Sequence, residues 1–307
     1  MDALLAVLAA LVVLGLACAI WGIFIERQLF VVRRDSVRVL PAGSHPIHVL
    51  HVSDIHMAPW QRRKQRWLAK TISSLVARGE VDLVVNTGDN LGHPSGIAPV
   101  LTALTDALGK PGVFVNGSND YHSPVLRNPF GYLAGPSERS HGKPLDTKRL
   151  TDSFERGGWL NLNNRGATAQ ISGLKIGFIG VDDAHDGLAE IASLQSQAAT
   201  NGITDITIGV THAPYLNVVH AMADAGASIV FAGHTHGGQV AIPGFGALVT
   251  NCDLPRQFAK GLSGWQSANG NSTILNVCAG LGHSIYAPVR FAVRPELRLL
   301  TLMPIEG

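Results

Sequence analysis

The feature that most constrains this chain is a series of short apolar runs that stop, again and again, on Asp, Asn or His beside a glycine. Ile47–Val52 leads to Asp54 and His56, Val81–Val85 to Thr87-Gly88-Asp89-Asn90, and Val113–Val115 to Gly117-Ser118-Asn119-Asp120. Ile206–Val210 stops at Thr211-His212, and Ile229–Phe231 at Gly233-His234-Thr235-His236. Leu174–Val181, Ile274–Val277 and Leu297–Leu302 are runs of the same kind. Runs so short and so rich in Val and Ile read as buried strands. Between them Leu68, Ile72, Leu75 and Val76 keep helical spacing, with Gly79 placed to stop that helix. Ile97–Leu108, Thr147–Glu155, Gly187–Ala199 and Leu216–Ala225 read as further helices. Strands alternating with helices predict an α/β fold. No repeat or linker divides the chain after residue 44, so one domain is expected over residues 45–307.

Asp54 and His56 stand two positions apart behind a strand, so a period of two points both side chains the same way. In open α/β sheets the carboxyl ends of the strands are where ligands bind. Each motif alone has an ordinary reading: an Asp after a strand is a turn former or cap, and a lone His is a satisfied surface or core residue. The ordered set Asp-x-His, Gly-Asp, Gly-x-Asn-Asp, His and Gly-His-x-His is harder to reach by chance. Its mixed oxygen and nitrogen donors suit a pair of Mn, Fe or Zn ions. The chain holds 13 histidines while only 15% of its residues are charged, which agrees with a metal-binding role. A net charge of +2 argues against a nucleic-acid partner bound through counterion release. Cys18, Cys252 and Cys278 make neither a disulfide framework nor a metal-type spacing.

From Ala3 to Ile25 there is no charged residue, a length that crosses a bilayer at about 1.5 Å per residue. A buried core helix would seldom be apolar on every face. A cleavable signal is the rival, because Ala17-Cys18-Ala19 resembles a cleavage site. However, Asp2 precedes the run without any Lys or Arg, and apolarity continues through Trp21, Ile23, Phe24 and Ile25. Residues 1–26 are therefore expected to form a single-pass anchor in the cell membrane, and 27–44 a juxtamembrane linker. Arg27, Arg33, Arg34 and Arg38 follow the span, which places the domain on the cytoplasmic face, with export as the alternative.

The strand-end motifs, spread over roughly His48 to Glu296, resemble those of the calcineurin-like metallophosphoesterases. Gly233 to Val240, Ile242-Pro243-Gly244-Phe245-Gly246, Gly280-Leu281-Gly282 and Pro288-Val289-Arg290-Phe291 resemble a membrane-associated bacterial branch of that family. The resemblance implies a two-sheet β-sandwich flanked by helices, preceded here by one N-terminal transmembrane helix. It implies two divalent metal ions (Mn, Fe or Zn), one on Asp54, His56 and His236 and one on His212 and His234, with Asp89 bridging. Such a pair activates water for attack on phosphorus. One motif departs: the family's Gly-Asn-His-Asp is Gly117-Ser118-Asn119-Asp120 here. Direct alignment puts Ser118 at the metal, whereas a one-residue adjustment of the turn gives that place to Asn119, the better donor because an amide carbonyl suits a hard metal. The family's acid role is then open, with His122 the nearest substitute. Asp89, Asn119, Asp120 and His122 are thus the expected catalytic residues. General-acid help is worth roughly 10²–10⁴-fold and matters least for a good leaving group, which favours a pyrophosphate or an activated diester.

Tyr121 to Asp146, dense in Pro and Gly and carrying His122, Arg127, Arg139, His141 and Lys143, reads as a cap over the site or as a solvated loop. Arg62, Arg63, Lys64, Arg66 and Lys70, flanked by Trp60 and Trp67, read either as a solvated helix face or as a contact with anionic head groups. Asp182-Asp183-Ala184-His185 reads as an acidic turn. The expected function is hydrolysis of phosphodiester or pyrophosphate bonds, the substrate an amphiphilic phosphate such as a lipid- or nucleotide-linked envelope precursor. A broad phosphomonoesterase or phosphodiesterase with soluble substrates, or a metal-binding membrane protein without turnover, are the alternatives.

Overall fold

Alternation along one strand sets the layers. In β2 (Ile47–Val52), Ile47 and Val49 enter one apolar cluster while Leu50 and Val52 enter another on the opposite face. The computed structural model describes residues 2–125, 142–283 and 285–306. Two six-stranded sheets face each other. The first is ordered β1 (Val31–Leu40), β14 (Glu296–Pro304), β2, β3 (Leu83–Asn86), β4 (Gly112–Phe114), β5 (Trp159–Asn161). The second is ordered β12 (Gly261–Gln266), β13 (Ser272–Val277), β9 (Ile229–Ala232), β8 (Ile206–Val210), β7 (Leu174–Gly180), β6 (Gly166–Ile171). A small hairpin, β10 (Ala241–Ile242) and β11 (Gly246–Ala247), stands apart from both. The cluster holding Val49, Val85, Phe178 and Phe231 lies between the sheets. Helices α2 (Arg62–Ala77), α3 (Ile97–Leu108) and α4 (Thr147–Arg156) cover the outer face of the first sheet through Leu68, Leu104 and Phe154. On the second sheet α5 (Leu194–Asn201) and α6 (Leu216–Asp224) do the same through Leu194 and Met222. The α/β two-sheet architecture is therefore present. Strands β2, β3, β4 and β5 run parallel, as do β7, β8, β9 and β13, so their carboxyl ends gather along one rim.

The stretch expected as a linker differs. Residues 31–40 form β1, paired in parallel with β14. Its sequence hides this because Arg33, Arg34, Asp35 and Arg38 interrupt the apolar pattern, as charges do on edge strands. They have partners: Arg33 lies 3.6 Å from Glu296, Arg38 3.0 Å from Glu306, and Asp35 2.6 Å from Arg298. Before β1, α1 (Asp2–Ile20) runs on through a π-helical turn at Trp21–Ile25 and a 3₁₀ turn at Glu26–Gln28. The helix over Ala3–Gln28 is long and apolar enough to cross a membrane, and its most apolar stretch is not buried. A core-helix reading is thereby excluded, and a membrane span or a signal sequence remains.

Between the sheets a chain of hydrogen bonds runs to the site. The Asn276 amide donates to Nδ1 of His51, whose Nε2 donates to Thr87 Oγ1 at 3.0 Å. Thr87 donates to Ser53 Oγ at 2.6 Å, and Ser53 to the Asp54 carboxylate. Burial, with Arg298 adding to it, pushes the His51 ring down to about 3. The folded ring therefore refuses a proton that the unfolded one accepts near 6.5, so its contribution to stability is present above 6.5 and is lost as pH falls toward 3. Between pH 7.5 and 5.0 this is worth about 2 kcal/mol. Urea unfolding of full-length protein with chelator should show His51→Gln losing that much less than wild type over this range. Identical pH slopes would refute the assignment.

Candidate metal centre

At the strand ends the backbone is bent in an unusual way. Asp54, His56, Asp89, His234 and His236 all have positive φ, at 47°, 44°, 53°, 67° and 50°. Such conformations cost of order 1–3 kcal/mol each and persist where surrounding contacts impose them. The contacts are visible: Asp54 N donates to Gly88 O, His56 N to Asp89 O, and Gly233 N to His212 O, each at 2.9 Å. Gly117 is required because a Cβ there would collide with the Asp89 carboxylate. Gly280 (φ 67°) is required because a Cβ would lie 2.5 Å from that of Asp54.

These turns bring the expected ligands together. Asp54, His56 and His236 converge, as do Asp54, Asp89 and His212, their donor atoms within 4.8 Å in each group. His236 Nε2 is 3.7 Å from Asp54, while Asp89 Oδ2 stands 3.3 Å from His56 Nε2 and 3.6 Å from His212 Nε2. Both carboxylates thus lie between the two groups. His234 lies beside them, its ring 5.2 Å from that of His212 and 4.7 Å from that of His185.

Hydrogen bonds select the free nitrogens. His212 Nδ1 donates to Thr87 O at 2.7 Å, which leaves Nε2 as the nitrogen for a cation once the cation displaces its proton. His234 Nε2 donates to Asn251 O at 3.1 Å, which leaves the lone pair on Nδ1. His212 Nε2 and both ring nitrogens of His56 are buried with no hydrogen bond. Burial holds His56, His234 and His236 well below the usual imidazole range, so these rings are neutral. His212 behaves oppositely: burial opposes its charge, but Asp89, Asp54 and Asp183 hold it up to about 9. Asp89 is raised to about 7, first by burial and then by Asp54 and Asp120. Unpaired nitrogens and two crowded carboxylates form a donor set that a divalent cation satisfies. The residues fit the metals.

The turn after β4 settles several placements. Asn119 donates to Asp89 from its backbone at 2.8 Å and its side chain at 2.7 Å, whereas Ser118 turns away to Asp183 at 2.5 Å. Asp120, expected among the catalytic residues, is wholly buried and accepts hydrogen bonds from Asn90 N, Leu91 N, Gly117 N and the Asn90 side chain. It fastens one ligand loop to the next and does not face the site. His122 faces the 182–186 turn, with Nδ1 4.0 Å from Asp186. The acidic turn does more than turn: Asp182 accepts from Tyr121, Asp183 from Ser118, and the His185 ring packs at a tilt against that of His234. Of the expected basic cluster, Arg62, Arg63, Arg66 and Lys70 are exposed. Lys64 is buried and donates to the carbonyls of Ile55 and His56, so it supports the metal loop instead of a head group. Trp67 packs on Phe30 with ring centres 5.3 Å apart. The expected cap falls largely on residues 126–141, outside the described residues, and so do Arg127, Arg139 and His141.

Arg290 was not expected at the site. Fully buried, it donates to the carbonyls of Ala279, Gly280 and Gly282 and points at His236 Nδ1 from 3.2 Å.

Residues 47–238 match the family model described as calcineurin-like phosphoesterase. The metallophosphoesterase YkuE of Bacillus subtilis (strain 168) is 24% identical over 271 residues, covering 86% of this chain and 82% of its own length. YkoQ of the same organism, also named a metallophosphoesterase, is 27% identical over 210 residues, 66% of each chain. Among solved structures, TT1561 of Thermus thermophilus is similar with a TM-score of 0.45 and 13% identity, covering 77% of this chain and 91% of that one.

Proposed function

The chain belongs to the calcineurin-like phosphoesterase family and is a metal-dependent phosphoester hydrolase, and on that premise we propose a membrane-anchored, dinuclear enzyme that cleaves phosphodiester or pyrophosphate bonds of amphiphilic substrates. The observation that carries this reading is the pair of donor groups sharing Asp54, with Asp89 reaching toward both. Asp54, His56 and His236 would hold one cation and Asn119, His212 and His234 the other, with Asp89 serving both. When bound, the cations supply Lewis acidity that polarises phosphoryl oxygens and lowers the pKa of water. The protein's own part is orientation: Thr87 O and Asn251 O fix the tautomers of His212 and His234, and Asn119 pins the Asp89 carboxylate. His122, whose Nδ1 stands 4.0 Å from Asp186, is the residue assigned to protonating a leaving oxygen, a role that matters least when the leaving group is good.

Anchoring is supported by how the helix base meets the domain. Arg290 N donates to Gly22 O at 3.2 Å, and Ala292 N to the Glu26 carboxylate at 2.9 Å. We assign the domain to the cytoplasmic face from the basic residues after the span. Because Arg33, Arg34 and Arg38 are ion-paired, that orientation rests chiefly on Arg27.

Full-length protein in detergent, saturated with Mn, should carry two metals per chain and hydrolyse bis(p-nitrophenyl) phosphate. One metal per chain or fewer would overturn the dinuclear reading. Asn119→Ala should weaken binding of one of the two cations by about 10–100-fold, the range seen when groups supporting a metal site are removed. Ser118→Ala should leave both in place. The reverse pattern would give the ligand role to Ser118.

A further inference from the structure

The base of the anchor continues, backbone by backbone, into an exposed apolar hairpin. Gly22 and Glu26 hold residues 290 and 292. On the other side, Phe291 N donates to Gln239 O at 3.1 Å and Ala241 N to Phe291 O at 2.9 Å. Neighbouring backbones paired in this way lie about 4.8 Å apart, so the β10–β11 hairpin begins next to the point where the chain leaves the anchor. At its tip Ile242 is 49% and Phe245 59% exposed, and the Arg256 guanidinium lies 4.5 Å over the Phe245 ring. Tyr286, in the segment beside it, is 49% exposed. Aromatic side chains backed by Arg, next to a span, have the composition of a membrane interface.

Behind the hairpin lies a groove of about 960 Å³, at the upper end for a small-molecule site. Ile242 and Phe245 form its lip, Arg256 and Lys260 its basic wall, Ala292 its border with the anchor, and Gly237, the neighbour of His236, its inner end. The lining therefore combines apolar and cationic side chains, and it adjoins the metal ligands at Gly237 and at Asn251, whose carbonyl accepts from His234. A lipid drawn in from the same leaflet would find Ile242 and Phe245 for its hydrocarbon and Arg256 and Lys260 for an anionic head group, beside the residues that adjoin His236 and His234. We propose that the Ala241–Ala247 hairpin lies in the bilayer surface and that the groove behind it admits a membrane lipid that carries its phosphate to the metal centre. This rests on the anchored-hydrolase reading and adds to it the source of the substrate and the residues that receive it.

Full-length protein with Cys18→Ser and Phe245→Cys, spin-labelled and placed in nanodiscs of phosphatidylcholine and phosphatidylglycerol, tests the hairpin without reference to catalysis. Oxygen should relax the label more strongly than a water-soluble nickel chelate. A label at Ile203→Cys, a site 94% exposed, should show the reverse. Ile242→Cys serves as a second position should Phe245→Cys fail to fold. A label at 245 or 242 as nickel-accessible as that at 203, in a chain that resists an alkaline membrane wash, overturns this inference alone. Release of the chain by that wash overturns the anchor reading and this inference with it. For the groove, phosphatidylglycerol with a diazirine at its acyl end should label residues 241–260 more than matching diacylglycerol, which carries no phosphate, does. Equal labelling by the two overturns the phosphate-carrying occupant.

Discussion

Asp89→Ala is expected to abolish divalent-metal loading and hydrolysis together, with turnover at or below about one-thousandth of wild type. No other carboxylate here lies within 3.6 Å of a histidine from each of the two donor groups, among the described residues. Its loss also frees Asn119, which donates two hydrogen bonds to it. Alanine at φ 53° adds strain of roughly 1–2 kcal/mol, so Asp89→Asn, which tolerates that conformation, separates chemistry from folding. The Asp89 carboxyl is raised to about 7, by burial first. A carboxyl raised above its unfolded value subtracts stability as pH rises from about 4 through 7, since only the unfolded chain ionises freely there. In chelator at pH 8, Asp89→Asn should therefore melt no lower than wild type. With Mn added, wild type should gain stability by mass action and the variant should not. Full activity or two bound metals in either variant would end the assignment of Asp89 to both donor groups.

The sequence made the strand ends legible because buried parallel strands are plain Val and Ile runs, and because Asp, His and Gly beside them have few other reasons to recur in that order. Direction and partnership were harder to read. β1 escaped because its charges find partners on β14 and beyond, which no local window contains. Lys64 was grouped with exposed basic residues, yet it falls four and eight positions before Leu68 and Ile72, on the buried face of α2; helical periodicity could have found it. Asp120 looked catalytic because its residue type suits catalysis, and only the structure shows its oxygens filled by the backbone of the next loop. The same limit applied to Ser118 and Asn119, where the phase of one turn decides which side chain meets Asp89. Arg290 stands in the sequence only as part of the Pro288-Val289-Arg290-Phe291 motif, with no sign of its place at the site, since its partners are backbone carbonyls and carbonyls have no sequence signature.

Arg290→Met should be nearly as damaging as loss of a ligand, though for a different reason. The guanidinium holds the carbonyls of Ala279, Gly280 and Gly282 at once, with contacts of 2.5–3.1 Å. A thioether cannot donate, so these carbonyls would stay buried and unpaired at about 1–3 kcal/mol each, less whatever the turn recovers by relaxing. The turn cannot relax without moving the site: a Cβ on Gly280 would strike Asp54 and one on Gly282 would lie 2.6 Å from His56 Cβ, so both ligands rest directly on it. Metal affinity should fall by about 10–100-fold, as it does when supporting groups around a metal site are removed. Arg290→Lys discriminates positioning from bulk stability. Burial lowers the Arg290 pKa to about 10, still high enough to keep its charge at neutral pH. A lysine would keep that charge, but a single ammonium cannot span the carbonyls as a planar fork does. If Arg290 positions the centre, Arg290→Lys should melt close to wild type in chelator yet show a smaller Mn-induced rise in melting temperature. Wild-type Mn affinity in Arg290→Met would show that the turn holds Asp54 and His56 without it.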